Sequence, residues 1–240
     1  RVHPSNYRIV GFTSTPSLSE LASLAHRSRL CLYEDAGSGA LFDLSPYGLA
    51  GEPAISDSLA AGADLVSFSG DKLLGAAQAG IIVGRRELVQ RLRKHPLYRA
   101  LRADKLALAA LQATLEAYGR GTAQAEVPAL RMLALKYEEL ESRARAFLEK
   151  LEERLSQTEL RCEIIEGQSA IGGGSAPTTH PRSPLLALTH ATLSAETLEE
   201  SLRRSSPPVI ARIALDRVLL DLRTIAEDEE DELLRALVQI

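Results

Sequence analysis

The chain has 240 residues, 45% of them hydrophobic, 25% charged and 4% aromatic with no Trp, and its formal charge is −4. This is globular composition with room for one large domain or two modest ones, and its core must come from Leu, Ala, Val and Ile. It argues against an aromatic nucleic-acid platform. No apolar stretch approaches the ~18 residues that cross a bilayer, and the N-terminus lacks the pattern of a secretory signal, so the sequence reads as cytoplasmic.

The first residues, RVHPSNYRIVGF, lack an initiator Met, and the only methionine is Met132, so the chain reads as a fragment or a processed product. Tyr7–Phe12 is expected as a short strand. After Pro16, SLSELASLAHRSR has helical apolar spacing at Leu18, Leu21, Ala22 and Ala25, with Ser17 or Ser19 as its cap. LCLYEDAG then reads as a buried strand, completing a parallel βαβ unit. EPAISDSLAAGA is expected as a helix closed by Gly62, followed by strand DLVSFSG, a loop around Lys72 and strand GIIVG.

RRELVQRLRKH is amphipathic and helical, and Pro96 marks its end. The stretch Arg85–Lys105 holds eight basic residues against Glu87 and Asp104, a local excess suited to an anionic ligand or to a solvated helix face. KLALAALQATLEAYGRG is a helix ending on glycine, and the residues after Pro128 continue as one long linking helix. From Leu160 short strands alternate with helices SAETLEESLRR and the acidic C-terminus, an α+β arrangement. The expected divisions are 1–125, a linker over 126–158, and 159–240. GQSAIGGGSAPTTHPRSP, rich in Gly, Ser, Thr and Pro, reads as a loop.

Cys31 and Cys162 match no metal-ligand spacing and read as reduced core residues rather than a disulfide. The histidines show no metal spacing either, so no metal is expected. His95 reads best as a helix-C-terminal histidine favoured by the dipole. Gly172–Gly174 with Ser175 could form an anion-binding nest, with a glycine-rich linker as the commoner alternative. Ser38 has no evident His or Asp partner for nucleophilic catalysis.

Asp35 follows an apolar strand and precedes Gly37, Ser38 and Gly39, and Lys72 follows another strand before Gly75. Ligands of open α/β sheets gather at the carboxyl ends of strands. An Asp and a Lys there suit pyridoxal phosphate, which uses a lysine Schiff base and an acidic partner for the pyridinium nitrogen. Imine formation consumes a neutral amine, which a partly desolvated lysine supplies. Taken singly, Asp-x-Gly also fits an ordinary turn, and Ser-Gly-Asp-Lys fits a loop with a solvated lysine.

The segments EDAGSGALFDLSPYGLAGEP, ADLVSFSGDKLLGAAQAGIIVG, HPLYRALRADKLALAALQATL and PPVIARIALDRVLLDLRT resemble, in collinear order, the bacterial selenocysteine synthases. These are L-seryl-tRNA(Sec) selenium transferases. The resemblance implies an α/β fold of the fold-type-I, aspartate-aminotransferase-like class. It would comprise the C-terminal half of a large pyridoxal-phosphate domain (1–125), a linking helix, and a small α+β domain (159–240). It implies conversion of seryl-tRNA(Sec) to selenocysteinyl-tRNA(Sec) with selenophosphate, through an aminoacrylyl intermediate, by a homo-oligomer that is at least a dimer and in the family extends to rings of dimers.

By the same resemblance Lys72 is the Schiff-base lysine, Asp35 the pyridinium partner and Asp71 a neighbour that tunes the lysine, while Ser69 reaches the cofactor. Gln78 and Gly80 approach the neighbouring subunit's cofactor phosphate. Arg99 and Arg102 hold selenophosphate or another anionic portion of the substrate, with a surface ion pair on a helix as the alternative for each. Where members of the family show Gly-Gly-Pro-Gln-Ala-Gly, this chain has Gly75, Ala76, Ala77, Gln78, Ala79 and Gly80, and Ala36 stands where Leu is common. A complete member also carries a tRNA-binding domain and the first half of the cofactor domain before SNYRIVGF. Two other readings stay open: an ammonia-lyase-like enzyme acting on a small phosphorylated amino substrate, and an inactive remnant.

Overall fold

The computed structural model describes residues 1–7, 9, 11–155 and 159–240. Helix α1 (Leu18–Arg27) starts where Ser17 Oγ accepts from the Glu20 N–H and the Glu20 carboxylate accepts from the Ser17 N–H. Of the two candidate serines, Ser17 is therefore the cap, because only it has a glutamate three residues on.

Strands β1 (Tyr33–Gly37), β2 (Leu65–Ser69) and β3 (Gly80–Gly84) form a sheet in that order. β1 and β2 are parallel, joined through helix α2 (Ile55–Ala60), and β3 returns antiparallel to β2. The βαβ unit is thus β1–α2–β2. In the expected strand Tyr7–Phe12, Arg8 and Val10 lie outside the described residues, and Tyr7, Ile9, Gly11 and Phe12 are not in a strand. The open edge of β1 is taken instead by the first residues: Asp35 N–H donates to Arg1 O (2.9 Å) and His3 N–H donates to Asp35 O (2.8 Å).

Helices α3 (Arg86–Lys94) and α4 (Pro96–Ala100) meet at His95. His95 ends α3 at its C-cap, as expected, and its Nδ1 also accepts from the Leu97 N–H at 3.2 Å, capping the start of α4. Helix α5 (Lys105–Arg120) is capped by Asp104 and stops at Gly121, whose φ of 74° suits a residue without a Cβ. The expected long linker is broken up: α6 (Ala123–Glu126), α7 (Pro128–Ala134) and α8 (Tyr137–Glu152) are separate. Lys136 is extended, and its N–H donates to Glu139 Oε2, which starts α8 as a new helix. Residues 156–158 of that linker lie outside the described residues.

The chain forms two compact units: Arg1–Ala134 with Ile171–Thr179, and Leu135–Ala170 with His180–Ile240. In the second, β4 (Leu160–Gln168), β5 (Arg182–His190), β6 (Arg212–Ala214) and β7 (Arg217–Asp221) form an antiparallel sheet in the order β4–β5–β7–β6. The β6–β7 turn uses Leu215 and Asp216 at φ of 52° and 56°, the left-handed pair a two-residue hairpin requires. Leu140, Ala144, Phe147 and Leu151 recur on one face of α8 and pack with Leu186, Leu188, Val218 and Leu220 of the sheet. Leu198 and Leu202 of α9 (Ala195–Arg203), with Leu234 and Leu237 of α10 (Glu230–Val238), complete that core. Each fully buried leucine contributes about 1.5–3 kcal/mol relative to exposure. Arg143 binds Glu230 Oε1 through Nε and Nη2 (2.9 and 2.7 Å) and Ile225 O (2.9 Å), tying α8 to α10.

Cys31 is exposed, contrary to its expected place in the core, while Cys162 is half-buried; both are free thiols. Burial pushes the Cys162 thiol up to about 12, with Glu152 and Glu163 adding to the effect. Among the described residues, no helix is long and apolar enough to cross a membrane, and no group of three or more His, Cys, Asp or Glu could hold a metal ion.

Candidate active site

Asp35 is half-buried on β1, opposite Ser67 of β2 in the parallel register. Ser67 Oγ–H donates to Asp35 Oδ1 at 3.3 Å and lies 2.6 Å from the Tyr33 hydroxyl. The register shifts between Asp35 and Gly37, where φ reaches 73°, and the chain leaves the sheet through buried Ser38 and Gly39.

Lys72 sits in the loop between β2 and β3. The loop closes on itself: Gly70 N–H donates to Ala79 O, Ala76 N–H to Gly70 O and Gly75 N–H to Lys72 O, at 2.8–2.9 Å. A Cβ on Gly70 would stand 2.5 Å from Ala77 O, so this close backbone approach needs glycine. Leu73 and Leu74 are buried beside Lys72, which is itself half-buried. Leu73 N–H donates to Ser38 O (2.9 Å), binding the lysine loop to the residues that follow β1. Both Asp35 and Lys72 therefore lie toward the carboxyl ends of adjacent parallel strands. Tyr118 of α5 donates to Leu74 O at 3.0 Å, and burial pushes its hydroxyl up to about 12.

The glycine-rich segment also belongs here. Ile171–Thr179 is part of the first unit, with Gly174, Ser175 and Ala176 buried. A Cβ on Gly174, where φ is 81°, would come within 2.7 Å of Lys72 Nζ and 2.8 Å of Cε. Ala176 N–H donates to Glu52 Oε1 at 2.7 Å, and His3 Nε2 lies 3.7 Å from Glu52 Oε2. Burial works to raise the pKa of Glu52, but the His3 and Ser38 side chains and the Ala176 N–H outweigh it, so the carboxyl titrates below its ordinary range. An anionic acceptor holding a buried N–H is a strong attachment.

Of the residues singled out from sequence, Asp35, Ser69 and Lys72 come to one end of the sheet; Ser69 closes β2 and pairs with Gly80. Asp71, Gln78 and Gly80 are exposed. Arg99 on α4 and Arg102 just beyond it are also exposed, and among the described residues neither makes an ion pair or hydrogen bond to that group. His180 is exposed. Ser67, Glu52 and Tyr118 were not singled out as site residues, and Gly174 was considered only for an anion-binding nest; their partners are remote in sequence, 124 residues apart for Glu52 and Ala176.

The family model SelA, L-seryl-tRNA selenium transferase, matches residues 1–226. The chain belongs to this selenium transferase family. Among its relatives, the L-seryl-tRNA(Sec) selenium transferase of Moorella thermoacetica is 47% identical over 240 residues, covering all of this chain and 51% of the relative. That of Geobacter metallireducens (strain ATCC 53774 / DSM 7210 / GS-15) is 45% identical over 230 residues, covering 95% and 50%. The chain thus spans about half the length of the curated relatives it matches. Among solved structures, D-glucosaminate-6-phosphate ammonia-lyase superposes with a TM-score of 0.53 at 20% identity, covering 94% of this chain and 53% of that one. The chain shares its α/β fold with that enzyme. The lysine loop that carries Ala76 and Ala77 closes through the Ala76 N–H and the Gly70 backbone.

Proposed function

We propose that the chain carries the lysine-bearing part of an L-seryl-tRNA(Sec) selenium transferase, which converts seryl-tRNA(Sec) to selenocysteinyl-tRNA(Sec) with selenophosphate as donor and pyridoxal phosphate as cofactor. The observation that carries this reading is the pair of Asp35 and Lys72 toward the carboxyl ends of adjacent parallel strands, within a chain of this family. The residues fit the cofactor. An amine and a carboxylate are the two groups it demands of the protein, Ser67 holds the carboxylate, and Gly174 leaves open the space beside Nζ that a Cβ would fill.

When bound, pyridoxal phosphate supplies an electron sink for the substrate α-carbon, allowing the seryl hydroxyl to leave and selenium to replace it. The chain's own residues have the following parts. Lys72 would hold the cofactor through its amine and would serve as a base for the substrate's α-proton. Asp35, oriented by Ser67, keeps a proton on the ring nitrogen. Asp71 flanks the lysine, and Ser69 contributes a hydroxyl beside it. Arg99 and Arg102 bind the donor's anionic group with forked guanidinium donors. Gln78 on the same loop and Gly80 at the start of β3, both exposed, face a neighbouring subunit's cofactor phosphate in a homo-oligomer of at least two chains. The exposed Leu97, Leu101 and Leu106 support such an assembly.

Adding pyridoxal phosphate to the full-length protein gives a visible cofactor absorbance band, and Lys72→Ala abolishes it. A wild-type protein that never acquires the band overturns the cofactor assignment. Selenocysteinyl-tRNA formation from seryl-tRNA(Sec) and selenophosphate tests the substrate. A band without that product, but with ammonia released from a phosphorylated amino substrate, would point to the ammonia-lyase alternative.

A further inference from the structure

The segment Ile171–Thr179 reads in sequence as part of an irregular loop, and it is built into the first unit at several points. Ile171 and Ala176 join the apolar cluster of Leu44, Leu49, Leu73 and Leu130. Thr179 Oγ1–H reaches Gly48 O at 3.4 Å, and Ala176 N–H is held by the buried Glu52 carboxylate at 2.7 Å. Between these attachments runs Gly174, with its α-carbon turned to the tip of Lys72. The missing side chain is what lets Nζ and Cε lie where they do, since an added Cβ would be 2.7 Å and 2.8 Å from them.

We infer that Glu52 and Gly174 are positioning residues for Lys72. Glu52 fixes the 171–179 segment through Ala176, and the Gly174 backbone forms the wall against which the lysine side chain is held. A lysine has four rotatable side-chain bonds, so a wall along its last two atoms confines the amine that must react. Confinement of a reacting group is a direct contribution to rate. The added Cβ would meet the movable end of a side chain rather than backbone, so it displaces the lysine, while the φ of 81° also strains the segment's own backbone in any substitution there. Gly39 is the contrast. Its added Cβ would meet the backbone Ser69 O at 2.5 Å, where nothing can yield cheaply.

The meaning of this inference for catalysis rests on Lys72 being the cofactor lysine, but its test does not. In the full-length protein without added cofactor, lysines are acetylated with limiting acetic anhydride and quantified by mass spectrometry. Lys94 and Lys105, both exposed, are internal standards. Gly174→Ala and Glu52→Ala each raise the Lys72 labelling ratio severalfold, whereas Glu52→Gln, whose amide oxygen still accepts from Ala176, stays near wild type. Lys72 ratios unchanged or lowered in Gly174→Ala, with the circular dichroism of the folded protein retained, overturn the inference; this variant decides the matter if Glu52→Ala does not fold. A raised ratio in a protein that forms no cofactor band sustains the positioning role and sinks the cofactor reading. A band with unchanged ratios does the reverse.

Discussion

The two units solve different problems. In the second, α8, α9 and α10 lay leucines on one face of an antiparallel sheet, and one large core gathers Leu140, Phe147, Leu186, Leu202, Leu220 and Leu237, with Leu185, Ala187 and Leu219 a small separate cluster. In the first, the buried apolar residues fall into separate clusters around glycine-rich loops, while Leu101 and Leu106 remain 81% and 83% exposed. A continuous core resists local change. Separate clusters leave room for polar groups such as Asp35, Glu52 and Lys72 to be held by a few directed bonds. The lesson is that the chemistry sits where packing is divided and hydrogen bonds carry the geometry.

This contrast can be broken by substitution. Leu186→Ala leaves a cavity in the continuous core and costs about 2–5 kcal/mol in denaturant unfolding, with loss of hydrogen-exchange protection in β5 and β7. Arg143→Ala removes charge-assisted bonds to Glu230 and a bond to Ile225 O and costs about 1.5–3 kcal/mol by the same measurement. In the first unit, Tyr118→Phe removes only the hydroxyl's bonds to Leu74 O and, more weakly, Leu73 O. It costs about 0.5–1.5 kcal/mol, and the loss appears as faster exchange at the Lys72 loop. If Tyr118→Phe cost as much as Leu186→Ala, directed bonds and continuous packing would not differ as described.

Acid sharpens the same point. The folded-state pKa of Glu52 lies below its ordinary value of 4.5, so its stabilising contribution is present above 4.5 and is lost as pH falls through the lower folded value. Unfolding measured against pH shows this loss in wild type, and Glu52→Gln lacks that component.

Elements whose signals are local were legible in the sequence. β3 runs over Gly80–Gly84 and α5 over Lys105–Arg120 as expected, because a glycine-bounded apolar run and an Asp-to-Gly capped helix need no distant partner. The linking helix was not legible: its apolar spacing continues through Leu135 and Lys136, and only Glu139 accepting from the Lys136 N–H shows the restart. Asp35 and Lys72 could be picked out because each follows an apolar strand and precedes glycines. Ser67 could not, since its role depends on which residue the parallel register sets opposite Asp35.

By itself, then, the sequence determined the family, the α/β order and the two charged residues toward the strand ends, all carried by motif and short-range periodicity. Only tertiary structure decided that the glycine-rich segment is a wall beside Lys72 and that Glu52 is its anchor. That contact joins residues 124 apart, and a backbone N–H meeting a buried carboxylate leaves no pattern in the residues between.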